Sequence, residues 1–401
     1  MAAQRTLQLE PFTPSFSDAE LAGLKQTLEA SRLPARTYAM DQEQYGITYD
    51  YMEAALAHWK DGFDWKAKEK EINEVDHFYA TIEDEGISHK IHFMYHESGD
   101  ANAIPLLLLH GWPGSAFEFL SAVKLLCKSA SPSFHIICPN QPGYGWSSPP
   151  PLDRGFGTDE VAGLMNKLMV GLGYGGGYAI QASEKLLSVL LLDPKPDQTP
   201  RLSQGGDIGS VLARKMALKY DAVKCINLNY LPAVRPPEGN PARNQVKPHE
   251  ERNIKHGEEF QATGRAYAIA HATRPGTIVA EKFRDWTDET PSVDEVLAIC
   301  TMWWIRDSFP SSIYAYSELL TSGVSAVHND PANYLKKPFG YSSFAKEISS
   351  APEAWAKLNG NLQFYRYHAK GGHFAAMEQP EVFAEDMREC FGKLWPMATK
   401  A

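Results

Sequence analysis

Gly205-Gly206-Asp207-Ile208-Gly209-Ser210 is the stretch whose reading decides the fold. Small residues on both sides of Asp207 let the backbone pass through a sharp, strained strand-to-helix bend that pushes the middle side chain outward. A serine at that position would point to ester or amide cleavage. A carboxylate instead attacks saturated carbon and leaves an alkyl ester for water to hydrolyse. Gly-Gly-Asp alone is also ordinary turn chemistry, so the hexapeptide needs a partner. That partner is His110-Gly111-Trp112-Pro113-Gly114, which follows the apolar run Ile104–Leu109. A turn after such a strand can supply one backbone N–H to an oxyanion, and the residue after the nucleophile supplies the other. Trp112 and Ile208 are therefore the candidate donor pair, and the Trp112 indole can pack in the core while its backbone donates.

A carboxylate nucleophile needs a base for the hydrolytic water, and the base needs an orienting acid. Gly371-Gly372-His373-Phe374 follows the strand-like Leu362–Tyr367. His373 is thereby expected on a loop at a strand's C-terminal end, where open α/β sheets place their sites. A structural histidine in a Gly-rich loop is the competing reading of the local sequence. The chain order nucleophile, acid, histidine favours the catalytic one. Asp330, Glu347 and Glu353 are the candidate acids, and Glu347 is preferred because it follows the strand-like Phe339–Phe344.

The composition of the 401 residues, 43% hydrophobic and 22% charged, is that of an ordinary globular protein with chain enough for a sizeable core. A formal charge of -10 and a pI near 5.7 argue against a nucleic acid or an anionic membrane surface as partner. Five cysteines form an odd number without metal-ligand spacing, so buried free thiols in a reducing compartment are expected. Met1–Pro11 has no signal-peptide apolar stretch, and no apolar run is long enough to span a bilayer. A cytoplasmic protein without a transmembrane anchor is the expectation.

Ser17-Asp18-Ala19-Glu20 reads as a capping box opening a helix that Pro34 stops, and Tyr49–Trp59 reads as a second amphipathic helix. Phe78–Ile82 and Ile87–Tyr95, separated by Asp84-Glu85-Gly86, read as a hairpin. Ile104–Leu109 and Phe134–Cys138 are nearly continuous apolar runs, as expected of strands covered on both faces. Tyr178–Gln181, Lys224–Leu228 and Leu362–Tyr367 continue the series, and strands alternating with helices imply a mostly parallel sheet. From Leu231 to about Ser322 the pattern turns helical and charge-rich, as a lid would. The expected units are an N-terminal meander over 1–74, a first core part over 75–230, a helical lid over 231–324 and a second core part over 325–401.

With these motifs together, the chain resembles the epoxide hydrolases of the microsomal type, and most closely the soluble fungal members. The resemblance runs from Pro11-Phe12 and Phe63-Asp64-Trp65 through His110–Ser115, Pro142–Ser147 and Gly205–Ser210 to Gly371–Ala376, and the family's N-terminal region extends to about 115. It implies an α/β-hydrolase fold with a mostly parallel central sheet, a helical lid and an N-terminal helical meander. It also implies hydrolysis of a small apolar epoxide to a vicinal diol, without metal or organic cofactor; a homodimer is the assembly considered. Asp207 would be the nucleophile and His373 the base. Glu347, at the acid position of Phe-x-Lys-acid, would be its orienter. Tyr267 and Tyr316 match the two lid tyrosines that give the emerging alkoxide its proton, with Tyr314 competing for the second place. Phenols suit that task because they stay protonated at neutral pH.

Two features depart from the family pattern. Ala182–Gln204 intervenes between the strand Tyr178–Gln181 and the elbow, where the family runs straight through. This Pro-rich piece is read as a translated intron or similar artefact in preference to a genuine insertion. After Ile278, about fifteen lid residues of the family pattern are missing before Glu281–Trp286. A haloalkane dehalogenase shares the aspartate nucleophile, but it usually carries a Trp directly after it to bind halide, where this chain has Ile208. A catalytically impaired ligand-binding homologue is the other alternative, raised by the two departures.

Overall fold

The computed structural model describes residues 5–42, 47–128, 131–182, 187–189, 203–205, 208–232, 235–260, 286–289, 291–308, 312 and 330–399. A short strand β1 (Glu10–Phe12) precedes three helices, α1 (Asp18–Ala30), α2 (Tyr49–Asp61) and α3 (Trp65–Ile72). The capping box at α1 is present: Glu20 N–H donates to Ser17 Oγ, and Ser17 N–H donates to Glu20 Oε2 at 2.7 Å. α1 ends at Ala30, ahead of Pro34. The hairpin follows as β2 (His77–Asp84) and β3 (Ile87–His96). Its turn residues Glu85 and Gly86 both have positive φ, the geometry that matches the twist of the flanking strands.

The chain then alternates between β4 (Ile104–Leu109), α4 (Leu120–Leu126), β5 (Phe134–Pro139), α5 (Thr158–Met169) and β6 (Tyr178–Ala182). Beyond a small hairpin, β7 (Leu187–Val189) with β8 (Ser203–Gly205), come α6 (Ile208–Lys219), β9 (Val223–Leu228), α7 (Pro248–Glu259) and α8 (Val293–Ile305). β10 (Leu335–Lys346), β11 (Gly360–Gly372) and a long helix α9 (Pro380–Thr399) complete the chain. Among the described residues nine strands form one sheet in the order β1-β2-β3-β5-β4-β6-β9-β10-β11. The first four neighbours pair antiparallel, and from β5 to β11 every pairing is parallel. Every residue of β4 and β6 is buried, which requires cover on both faces. α4 packs with α9 and α5 packs with α6, and the two pairs supply that cover. Among the described residues no helix is long and apolar enough to cross a membrane.

Of the piece that follows β6, the described residues are 187–189 and 203–205. Tyr178–Ala182 keeps its place in the sheet, with Ala182 opposite both Leu109 and Leu228. The strand therefore runs one residue past Gln181, so Ala182 belongs to the sheet instead of opening the intervening piece. Leu187–Val189 and Ser203–Gly205 pair with each other, antiparallel, in a separate two-stranded sheet. Ser203–Gly205 therefore does not take the place of the end of β6 in the main sheet.

Candidate active site

Parallel strands deliver their C-terminal ends to one edge of the sheet, and the turns beyond them gather there. The end of β4 leads into His110-Gly111-Trp112, that of β10 into Glu347, and that of β11 into His373. His373 Nδ1 and Glu347 Oε1 lie 3.0 Å apart, and both residues are almost wholly inaccessible to solvent. The same Glu347 oxygen accepts the Ile348 N–H at 2.8 Å. A buried carboxylate on Nδ1 fixes the ring's tautomer and orientation and aims Nε2 away from it. Of the three candidate acids, Glu347 is thus the one beside the imidazole. Asp330 caps a short turn through Ala332 N–H, and Glu353 pairs with Lys247 and Lys357.

The His373 ring is boxed by aromatics. Trp286 meets it edge-on at 5.7 Å between centroids, and Phe374 does so at 5.0 Å. Backbone ties hold the loop: His373 N–H donates to Trp286 O at 2.8 Å. Gly372 allows this approach, because a Cβ there would lie 2.5 Å from Trp286 O and 3.0 Å from Thr287 Cα.

The His110–Gly114 turn is equally fixed. His110 is fully buried; its Nδ1–H donates to Gly111 O at 3.0 Å and its Nε2 accepts the Gln141 N–H at 3.1 Å. Burial lowers its pKa to about 4, so the imidazole is neutral. Gly114 lacks a Cβ that would overlap the buried Glu118 carboxylate. Trp112 is buried, and its indole N–H donates to Ser312 Oγ at 3.2 Å. Ile208 opens α6 and is also buried. Asp207, Tyr267, Tyr316 and its competitor Tyr314 lie outside the described residues, as does the junction after Ile278.

Beneath these loops runs a polar row that the sequence did not single out. Asn227 Nδ2 donates to Gln181 Oε1 at 2.8 Å and to Ser342 Oγ at 3.3 Å, and Gln181 Nε2 reaches Asn229 Oδ1 at 3.3 Å. It ties the ends of β6, β9 and β10 together inside the core, where buried polar groups must pair. Gln181 looked like an ordinary strand residue because its partners come from strands distant in sequence.

A parallel sheet with an acid after β10 and a buried histidine after β11, paired to each other, fits the layout of an α/β hydrolase. Residues 106–386 match the model described as alpha/beta hydrolase family, and residues 9–119 match epoxide hydrolase N terminus. The solved epoxide hydrolase of Aspergillus niger is 33% identical, with a TM-score of 0.84 and 98% of each chain covered. A Dothistroma septosporum protein provisionally named an epoxide hydrolase is 31% identical over 97% of this chain and 92% of its own. Epoxide hydrolase 1 of Sus scrofa is 29% identical over 98% of this chain and 90% of its own. The chain belongs to the epoxide hydrolase family.

Proposed function

We propose that this chain opens a small apolar epoxide to a vicinal diol through a covalent ester on Asp207. An Asp207 carboxylate oxygen attacks a ring carbon, the carbon–oxygen bond of the strained ring breaks, and Tyr267 or Tyr316 gives its phenolic proton to the emerging alkoxide. His373 Nε2 then takes a proton from water, and the resulting hydroxide adds to the ester carbonyl carbon. The N–H groups of Trp112 and Ile208 stabilise the oxyanion. Collapse breaks the acyl–oxygen bond, the carboxyl proton passes to the leaving alkoxide to give the diol and the Asp207 carboxylate, and the imidazolium proton returns to the tyrosinate. Glu347 holds the imidazole and stabilises its positive charge while it carries the proton.

The observation that carries this reading is the buried His373–Glu347 pair at the ends of β10 and β11, in a chain whose relatives are epoxide hydrolases. Five cysteines without a disulfide fit a reducing, cytoplasmic setting. The test is incubation of the purified chain with styrene oxide, with diol as the readout. Diol from wild type and none from Asp207→Ala is the expected result; equal diol from both would overturn it.

A further inference from the structure

Glu378 ends the short helix Ala375–Glu378 that follows His373, and its carboxylate turns back over the histidine loop. Oε1 accepts the N–H groups of Gly372 and Phe374, each at 3.1 Å, on either side of His373. Oε2 accepts the N–H groups of Asp288 at 2.7 Å and Glu289 at 3.3 Å. In the opposite direction, Gly371 N–H donates to Asp288 Oδ2 at 3.2 Å and His373 N–H donates to Trp286 O. Every backbone N–H from Gly371 to Phe374 is therefore engaged, two by Glu378 and two by the 286–288 segment. Burial pushes the Glu378 carboxyl up to about 7, against the lowering effect of these four N–H groups; ionised, it only accepts and offers about four lone-pair directions, so the four convergent donors match that form in number and sign.

We propose that Glu378 is a positioning residue for His373: it clamps the histidine loop to the 286–289 segment and so fixes the imidazole over the ester to be hydrolysed. Trp286, held in the same clamp, forms one wall of the ring's box. The proposal rests on the two-step reading above, because it assigns Glu378 to the second step alone. Glutamine at 378 would keep the shape but turn part of the cluster into donor against donor, loosening the loop that carries His373. A misplacement near 1 Å costs on the order of a hundredfold in rate, so even partial loosening reads out kinetically.

The experiment is single-turnover reaction with styrene oxide, followed by intact-protein mass spectrometry, on wild type, His373→Gln, Glu378→Gln and Asp288→Asn. Glu378→Gln should slow ester hydrolysis at least about tenfold while alkylation stays within about twofold, so that alkyl-enzyme accumulates. Asp288→Asn, which weakens one tie only, should show the same split at smaller size, and it serves as the test if Glu378→Gln does not fold. Equal slowing of both steps, or a lower melting temperature with no kinetic split, would mean a merely structural role and overturn the proposal. An alkyl-enzyme absent even from His373→Gln would instead remove the ester step, and with it this proposal. That failure is visible without any change at Glu378.

Discussion

The indole N–H of Trp112 and the hydroxyl of Ser312 are 3.2 Å apart, joining the turn after β4 to the chain segment that leads toward Tyr316. Tyr144 adds a second tie, its hydroxyl donating to Ser312 O at 2.9 Å. Ser312 is buried, so these hydrogen bonds are sheltered from water. The turn proposed to stabilise the oxyanion thus also anchors the approach to a proposed proton donor. One residue, Trp112, would serve the second step through its backbone and the first through its indole.

Trp112→Phe separates those two contributions. Phenylalanine keeps the backbone N–H but leaves a cavity and removes the indole donor to Ser312 Oγ, which should cost about 2–4 kcal/mol of stability. Alkylation should slow roughly tenfold as the Tyr316 segment loses its anchor, with ester hydrolysis much less affected. Chemical denaturation and single-turnover kinetics check the two parts. Equal loss in both steps would show that the indole does no more than fill space.

His373→Gln should still alkylate itself and then stall, because the imidazole is assigned only to the second step. Intact-protein mass spectrometry should show one substrate mass added. A substrate that is turned over by wild type yet leaves no adduct on this variant would count against the covalent route. Glu347→Gln should stall at the same stage less completely, since the ring keeps a hydrogen-bonding neighbour but loses its charge.

Much of this arrangement is legible along the chain because it is local. Ile104–Leu109 reads as a doubly covered strand from its unbroken apolar run, and Ser17 with Glu20 reads as a helix start from their spacing. Glu347 and His373 are findable because each directly follows a strand. What was not legible depends on groups that meet only after folding. Gln181 and Asn227, on different strands, pair inside the core, and Glu378 faces Asp288 across 90 residues of chain. Neither has a periodicity or motif of its own. Even β1 escaped notice: Glu10–Phe12 is too short to show alternation, and its strand character comes from pairing with His77–Tyr79.

Buried neutral histidines weaken the fold in mild acid, against the opposite contribution of the Glu378 carboxyl, which burial raises to about 7 and which therefore favours the folded state as pH falls. Burial lowers the pKa of His110 to about 4 and pushes His77 and His92 below their ordinary value. His77 donates to Ile72 O, and its other nitrogen meets His92 at 3.1 Å, a chain satisfied by neutral rings. At these rings the unfolded chain takes up protons near pH 6.5 while the folded one does not. Stability from these groups is therefore complete above about 6.5 and is lost as pH falls toward 4, with His110 alone worth on the order of 3 kcal/mol. The His110 contribution is read as a difference: between pH 8 and pH 5 the urea midpoint of His110→Asn, lower than wild type at pH 8, should fall less than that of wild type. An equal change in both proteins would contradict the assignment.

Tyr267→Phe and Tyr316→Phe should each slow alkylation far more than hydrolysis of the ester, because a phenol acts on the leaving oxygen only when the ring opens. Rapid-quench measurement of the alkyl-enzyme separates the steps. If alkylation is unchanged in both variants, neither tyrosine is the donor, and Tyr314 becomes the residue to replace next.

The hairpin beyond β6 yields the last prediction. A nucleophile elbow works by carrying a central strand, hydrogen-bonded on both edges, directly into its bend. Here Ala182 holds the final place in that strand, between Leu109 and Leu228, and the chain departs before it returns through Ser203–Gly205. Deleting Ala182–Gln204 joins Gln181 to Gly205. It seats Gly205 where Ala182 now pairs and sets Asp207 just past the strand end, while Gln181 keeps its bond to Asn227. The exchange gives up one buried methyl, worth about 1 kcal/mol, and removes the closure entropy of the excursion. The deletion variant should melt at higher temperature and hydrolyse styrene oxide faster, by as much as a hundredfold if the intervening piece displaces Asp207 by about 1 Å. Transcript sequencing should also find the corresponding stretch spliced out. A deletion variant less stable than the full chain, or mature messages that all retain the stretch, would make the hairpin a genuine element beside the site.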